Sequence, residues 1–304
     1  MGDAIELAAG GYRAVVSRRG AALCGLTCAD QELVWGYAPE EGPASYQGQL
    51  LAPWPNRVAD GRYRFGGREH RLAVTEPERG TALHGLVHAA PWLPVEIAGD
   101  RATLTHVLDG AEGYPFRLAL SVTYTLDPVA GLEVAVEARN TGDGPAPYGV
   151  GAHPYLRVPL PLDDAVLRLP AGKRLPVDGR LLPAGPPEPV AGTEHDFRTP
   201  RRIGTTAFDT AFTDLERDAE GRAWTVLAAQ GRAVGVWADR SYGWLQVFSA
   251  EGLPGGLARS AFAVEPMTCP PDAFNSGTDL LVLEPGAEAV RSRFGIRAVD
   301  PGEA

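Results

Sequence analysis

The stretch RLALSVTYTLDPVAGLEVAVEAR, residues 117–139, decides the fold. Through 117–127, Leu118, Leu120, Val122, Tyr124 and Leu126 fall on one side of an extended chain, and Ala119, Ser121, Thr123 and Thr125 on the other. After DPVAG, Leu132, Val134, Val136 and Ala138 stand opposite Glu133, Glu137 and Arg139. Side chains of a strand alternate between two faces, so each run reads as a strand with one apolar face. Two such runs joined by a five-residue Pro/Gly turn predict an antiparallel hairpin.

Outward from this hairpin the same alternation recurs at 12–17, 68–74, 102–108, 223–229, 233–238, 244–249 and 286–294. No run of ten or more residues carries a 3.6-residue period, so helix is expected only as short turns. The 37 glycines and 27 prolines are scattered as punctuation, which suits many short strands joined by turns. No repeat of fixed period is present, which disfavours a propeller. The Pro-rich segment PVDGRLLPAGPPEPV (176–190) lies between strand-like stretches and reads as a long surface loop, not a linker. The expectation is an all-β protein, residues 1–304 forming one large single-domain antiparallel β-sandwich.

Hydrophobic residues make up 44% and charged residues 22% of the chain, enough apolar material for a full core. Acidic residues outnumber basic ones 38 to 28, which excludes a bare electrostatic grip on nucleic acid or an anionic membrane. The first residues lack a basic segment followed by an apolar one, and no stretch approaches the roughly 18 apolar residues of a membrane span. A cytoplasmic protein without a membrane partner is therefore expected. Cys24, Cys28 and Cys269 lack the spacing of a zinc ribbon or redox motif and read as reduced structural thiols.

Five segments hold ionisable residues among Pro, Gly and aromatic residues: LLAPWPNRVADGRYRFGG (50–67), ALHGLVH (82–88), GAHPYLR (151–157), AFDTAFTDL (207–215) and FAVEPMTCPPDAFNSG (262–277). Each ionisable residue sits beside a turn former, as at a strand end, where a rigid sheet can present distant segments to one cleft. His84 and His153 suit acid–base work near neutral pH, although a histidine bonded to nearby backbone explains either one alone. His70, His88, His106 and His195 carry no functional expectation. Glu265 follows the apolar run FAV and precedes Pro266, so it is expected to end a strand in apolar surroundings, where a carboxylate must be hydrogen-bonded or bind its proton more tightly. Two histidines and a carboxylate could converge on a metal, but nothing in their spacing demands it. Phosphate-binding glycine loops, a G-x-S-x-G elbow and H-E-x-x-H are missing from the sequence.

In their order along the chain, PWPNRVADGRYRFGG, LHG, GAHPYL, FDTAF and EPMTCPPDAFN resemble the aldose 1-epimerase (galactose mutarotase) family, over about residues 5–295. The resemblance implies a large β-sandwich that interconverts the α and β anomers of a free sugar, with no metal and no organic cofactor. It implies Glu265 as general base and His153 as general acid. It places His84, Arg57 and Asp209 as sugar-binding residues, with Asp214 close to the last, and allows Trp244 in GWLQVFS (243–249) to line the pocket or pack in the core. An ionised Glu265 and a protonated His153 are expected at the start, giving a bell-shaped pH profile whose acidic limb belongs to Glu265 and basic limb to His153. Competing readings are a glycoside hydrolase, which needs paired carboxylates, a hexose-phosphate epimerase, which needs basic residues beyond Arg57, and a non-catalytic sugar-binding protein. The motifs do not name the sugar or the oligomeric state.

Overall fold

In the computed structural model, which describes residues 4–159, 161–253, 258–300 and 302, the hairpin forms as strands Tyr114–Asp127 and Gly131–Asn140. Their register runs from Leu118↔Asn140 to Asp127↔Gly131, so both ends of the expected turn join the ladder and residues 128–130 alone connect the strands. Leu118, Leu120, Val122, Tyr124 and Leu126 are all buried, as the alternation requires. The Tyr124 hydroxyl donates to the Ala21 carbonyl, so its buried oxygen is satisfied.

Among the described residues, this hairpin lies within a nine-stranded sheet, in the order 93–97, 101–111, 114–127, 131–140, 290–299, 232–238, 223–229, 166–168 and 201–202. An eight-stranded sheet runs 188–189, 171–174, 209–215, 244–248, 262–267, 151–152 and 50–51, with 155–156 also pairing with 262–267. Pairing is antiparallel throughout both sheets. One apolar cluster takes Leu120, Val122, Val136 and Ile296 from the first sheet and Phe212, Leu245, Val247 and Val264 from the second, which is the packing of a β-sandwich. Among the described residues the named helices are the single turns Leu162–Asp164 and Ala273–Ser276, and no described helix is long and apolar enough to cross a membrane.

Two sequence expectations shift. The run expected at 286–294 is the strand Val290–Val299, because Gly286 takes a left-handed turn conformation (φ 70°) after Pro285. Glu265 does not end its strand: it lies inside Phe262–Met267, opposite Gln246, and Pro266 continues the ladder opposite Leu245. The proline is tolerated because of what lies beside it. Val264 donates its N–H to Pro154 and Thr268 to Val150, so position 266 faces Ala152, where the pairing with 151–152 breaks off before it resumes at 155–156.

Candidate active site

Alternation along three neighbouring strands of the eight-stranded sheet builds the floor of a cavity. Phe208, Phe212, Leu245, Val247, Phe262 and Val264 point into the core, so Asp209, Gln246 and Glu265 point to the opposite face. Register sets Gln246 directly beside Glu265, and the Gln246 amide donates to Asp209 Oδ1 at 2.7 Å. His153 arrives from the interruption between 151–152 and 155–156, with Nε2 3.4 Å from Glu265 Oε1.

Arg57 and His84 come from the facing pair Arg57–Ala59 and Thr81–Leu83. His84 has φ 62° and Asn56 φ 55°, and the two clasp each other: the His84 N–H donates to the Asn56 carbonyl at 2.8 Å, and the Asn56 N–H donates to His84 Nδ1 at 3.3 Å. With Nδ1 accepting, the neutral ring carries its proton on Nε2. Strained backbone of this kind persists where the surroundings over-determine it, often at functional sites. Arg57 meets Glu76 in a two-pronged pair, 2.8 Å from Nε to Oε2 and 2.9 Å from Nη2 to Oε1. Arg79 and the Thr81 hydroxyl also bond to Glu76. Arg57, His84, His153, Asp209 and Glu265 thus all line one open cavity of about 610 Å³.

Burial dominates the electrostatics. It pushes the Glu265 carboxyl well above the usual range, with nearby Asp209 adding to the shift and Arg57 opposing it. Burial pushes the His153 imidazole down to about 3 and carries His84 well below its ordinary value. Asp209 is also raised by burial, against the pull of Arg57. At Glu76 burial alone would raise the carboxyl, but the bonds from Arg57 and Thr81 outweigh it and hold it low. Burial therefore favours the protonated form of the Glu265 carboxyl and the neutral form of the His153 imidazole. The expected charged pair carries the same single proton on the other partner.

His84, His153 and Glu265 place donor atoms within 4.8 Å of one another, a set that could hold a metal ion. Two neutral imidazoles and a carboxylate are zinc-type donors. The Arg57 charge, which acts on both His84 and Glu265, opposes a cation there.

Sequence reading left Glu76, Gln246 and Tyr46 unnamed. Glu76 stands in VTEPERG (74–80), a carboxylate beside proline like those singled out, and Gln246 is a polar residue on an otherwise apolar strand. Tyr46 (φ 59°) packs its ring edge-on to His84 and stacks near His153. Trp244 does not line the cavity: it is buried with Leu175, Ala211 and Met267, and its indole donates to Asp279 at 2.8 Å. Asp214 lies outside the cavity lining, which leaves Asp209 as the aspartate that faces it.

The turn beneath Tyr46 anchors His153. Gly48 donates its N–H to the His153 carbonyl at 2.9 Å, and His153 donates to the Gln49 carbonyl at 3.0 Å. Gly48 has φ 64°, and a Cβ there would lie 1.9 Å from the Leu23 carbonyl oxygen. Gly48→Ala is accordingly expected to cost about 2 kcal/mol from left-handed strain and crowding. A urea midpoint equal to that of the parent would contradict this account.

The family model described as aldose 1-epimerase matches residues 3–292. Uncharacterized protein YihR of Escherichia coli (strain K12) is 38% identical over 289 residues, covering 94% of this chain and 90% of that protein. Galactose mutarotase of Mus musculus is 33% identical over 185 residues, covering 57% of this chain and 52% of that protein, about half the mouse sequence. The crystal structure of a GalM/aldose epimerase homologue from C. elegans aligns with a TM-score of 0.87 over 98% of both chains at 20% identity, a likeness of fold.

Proposed function

The chain is an isomerase of the aldose 1-epimerase family, and from that premise we propose that it interconverts the α and β anomers of a free aldose by opening and reclosing the sugar ring. The observation that carries this reading is the buried approach of His153 Nε2 to Glu265 Oε1 at the floor of an open cavity. Glu265 Oε2 and Gln246 Oε1 are buried there with no hydrogen-bond partner among the described residues, and sugar hydroxyls would satisfy them. Arg57, His84 and Asp209 hold the substrate, the first two as donors and the third as an acceptor. We also propose that the chain works as one domain, a reading supported by an apolar cluster that runs from Ile5 to Ile296.

In the proposed step, Glu265 takes the proton of the anomeric hydroxyl while His153 gives one to the ring oxygen. The bond between C1 and the ring oxygen breaks and an open-chain aldehyde forms. Its product is a protonated Glu265 beside a neutral His153, the arrangement burial favours, so ring opening discharges the pair as the hemiacetal breaks. Rotation about C1–C2 exposes the other carbonyl face. Closure returns both protons along the same paths. Arg57 and Arg79, the two arginines on the cavity wall, both already bond to Glu76, which favours a sugar without a phosphate dianion.

A panel of pure anomers followed by polarimetry tests the reading. The expected result, on at least one aldose, is a decay of optical rotation proportional to enzyme concentration above the spontaneous rate. A parent protein that exceeds background on no aldose would leave sugar binding without catalysis as the better account.

The pH profile should also depart from the sequence expectation. The active form carries one proton on the pair, so acid inactivates by adding a second proton, to His153, and alkali by removing the last, from Glu265. The limbs are therefore exchanged. With His153 pushed down to about 3, kcat/KM should stay level well below pH 6 before the acid limb sets in, and it should decline as pH rises through the raised value of Glu265. A decline centred near the ordinary imidazole value of about 6.5, with activity rising toward alkaline pH, would sink this assignment.

A further inference from the structure

The backbone of His153 is tied to the neighbouring turn through its bonds with Gly48 and Gln49. Its ring has no comparable tie. Nε2 stands 3.4 Å from Glu265 Oε1, longer than a usual hydrogen bond of about 2.7–3.2 Å. Nδ1 is buried, and among the described residues it has no hydrogen-bond partner but its own backbone. An imidazole that works as an acid is ordinarily aimed by a bond at its other nitrogen. Something else must aim this one.

What meets the ring is aromatic. Tyr155 lies nearly parallel to it, with centroids 5.0 Å and planes 22° apart, and Tyr46 lies nearly parallel at 6.1 Å and 20°. His84 touches it edge-on at 5.3 Å, and Tyr46 lies edge-on to His84 at 4.6 Å. The two tyrosines are linked: the Tyr155 hydroxyl donates to Ser45 Oγ at 3.1 Å, and Ser45 immediately precedes Tyr46. Each is also fixed in its own right. Tyr155 is buried and packs edge-on against Trp35, while Tyr46 keeps a left-handed backbone (φ 59°) and packs edge-on to His88 as well. Stacked neighbours resist rotation of an imidazole about its Cβ–Cγ bond, which would drive ring atoms into their faces.

We propose that Tyr155 and Tyr46 are positioning residues of the anomerisation, a pair linked through Ser45 that holds the His153 ring by stacking, so that Nε2 keeps one aim with or without its proton. The proposal rests on the reading of His153 as the acid. In that step the proton leaves Nε2 for the ring oxygen on opening and returns to the same nitrogen on closing. The imidazole must therefore not turn while the aldehyde rotates about C1–C2. A hydrogen bond to either nitrogen changes strength with protonation, whereas a stacked face packs against the neutral ring and attracts the charged one.

The full chain carrying ¹⁵N-labelled histidine is followed by NMR at the His153 ring, whose signals are those lost in His153→Gln. Polarimetric kinetics use the aldose that the parent turns over fastest. Tyr46→Leu and Tyr155→Leu keep apolar bulk but remove the stacked ring. Each should lower kcat about 10–100-fold, the scale of a misaligned catalytic group, with KM within about twofold of the parent. The His153 ring signals, a single set in the parent, should broaden or divide. Tyr46→Phe and Tyr155→Phe restore the ring and should recover most of the loss, Tyr155→Phe falling about threefold short because it lacks the bond to Ser45. A raised KM with parental kcat would make the tyrosines sugar contacts and overturn the proposal. His153 signals unchanged in both leucine variants, or phenylalanine variants as slow as the leucine ones, would overturn it too. If Tyr155→Leu does not fold, Tyr46→Leu, at a half-buried loop position, decides alone. A parent without mutarotase activity removes the reading of His153 as the acid, and the ring signals then judge the hold on His153 by themselves.

Discussion

Glu265→Gln is expected to lower kcat/KM for anomerisation by about 10²–10⁴-fold, the usual contribution of a general base. The amide keeps the shape of the carboxyl and its place beside Gln246, so sugar binding should survive. Spontaneous mutarotation must be subtracted at several enzyme concentrations. The same change should stabilise the fold. Burial raises the carboxyl of Glu265, so as pH climbs past the ordinary carboxylate value the unfolded chain releases a proton that the folded chain still holds. Parental stability falls through that window, and glutamine removes the loss. The variant should therefore gain on the parent as pH rises from about 4 toward the raised value and keep that lead above it. Parental turnover in the variant would dismiss Glu265 as the base. A variant both inactive and less stable at neutral pH would point instead to a structural carboxylate.

Arg57→Met should damage both stability and activity. Arg57 and Glu76 have side chains only 10% and 11% exposed, and removing one partner of a buried pair leaves the other charge poorly compensated. The cost is set at about 3 kcal/mol, the low end for such pairs, because Arg79 and Thr81 still bond to Glu76. Arg57→Met with Glu76→Gln removes the stranded charge and should recover most of that stability. It should not recover the KM for sugar, which loses the Arg57 donors in either case. Urea unfolding alongside polarimetric kinetics separates the two effects. Full recovery of KM in the double variant would show that Arg57 serves the fold and does not touch the sugar.

The period-2 text made the sheets legible because one apolar face per strand is a local property of the chain. It made Leu118 through Leu126 readable one by one, and it failed at Val290–Val299 only where the turn at Gly286 interrupts the count. The five named site residues share one cavity, and their segments could be picked out because proline, glycine and aromatic residues surround them. Glu76 and Gln246 were not legible in the same way. Each gains its place from a partner distant in sequence, Glu76 from Arg57 and Gln246 from Asp209, and no local pattern records a bond across that distance. Pro266 misled for a similar reason. A proline ordinarily breaks a ladder, and the reading could not include the interruption at His153–Pro154 that lets it stay. The ionisation of the pair was the furthest from the sequence, since it is set by complete burial of both groups.

The placement of Glu265 in mid-strand, paired with 244–248 on one side and with 151–152 and 155–156 on the other, bears on how the enzyme fails when heated. Sites carried on fraying segments lose activity by local opening, well before the molecule melts. Here the strands that carry Asp209, Gln246 and Glu265 also supply one side of the sandwich core, so the floor of the site, with its general base, holds as long as the sheet persists. Inactivation and melting become one cooperative event. Residual activity after a heat pulse should follow the far-ultraviolet dichroism point for point, and no folded but silent population should accumulate between them.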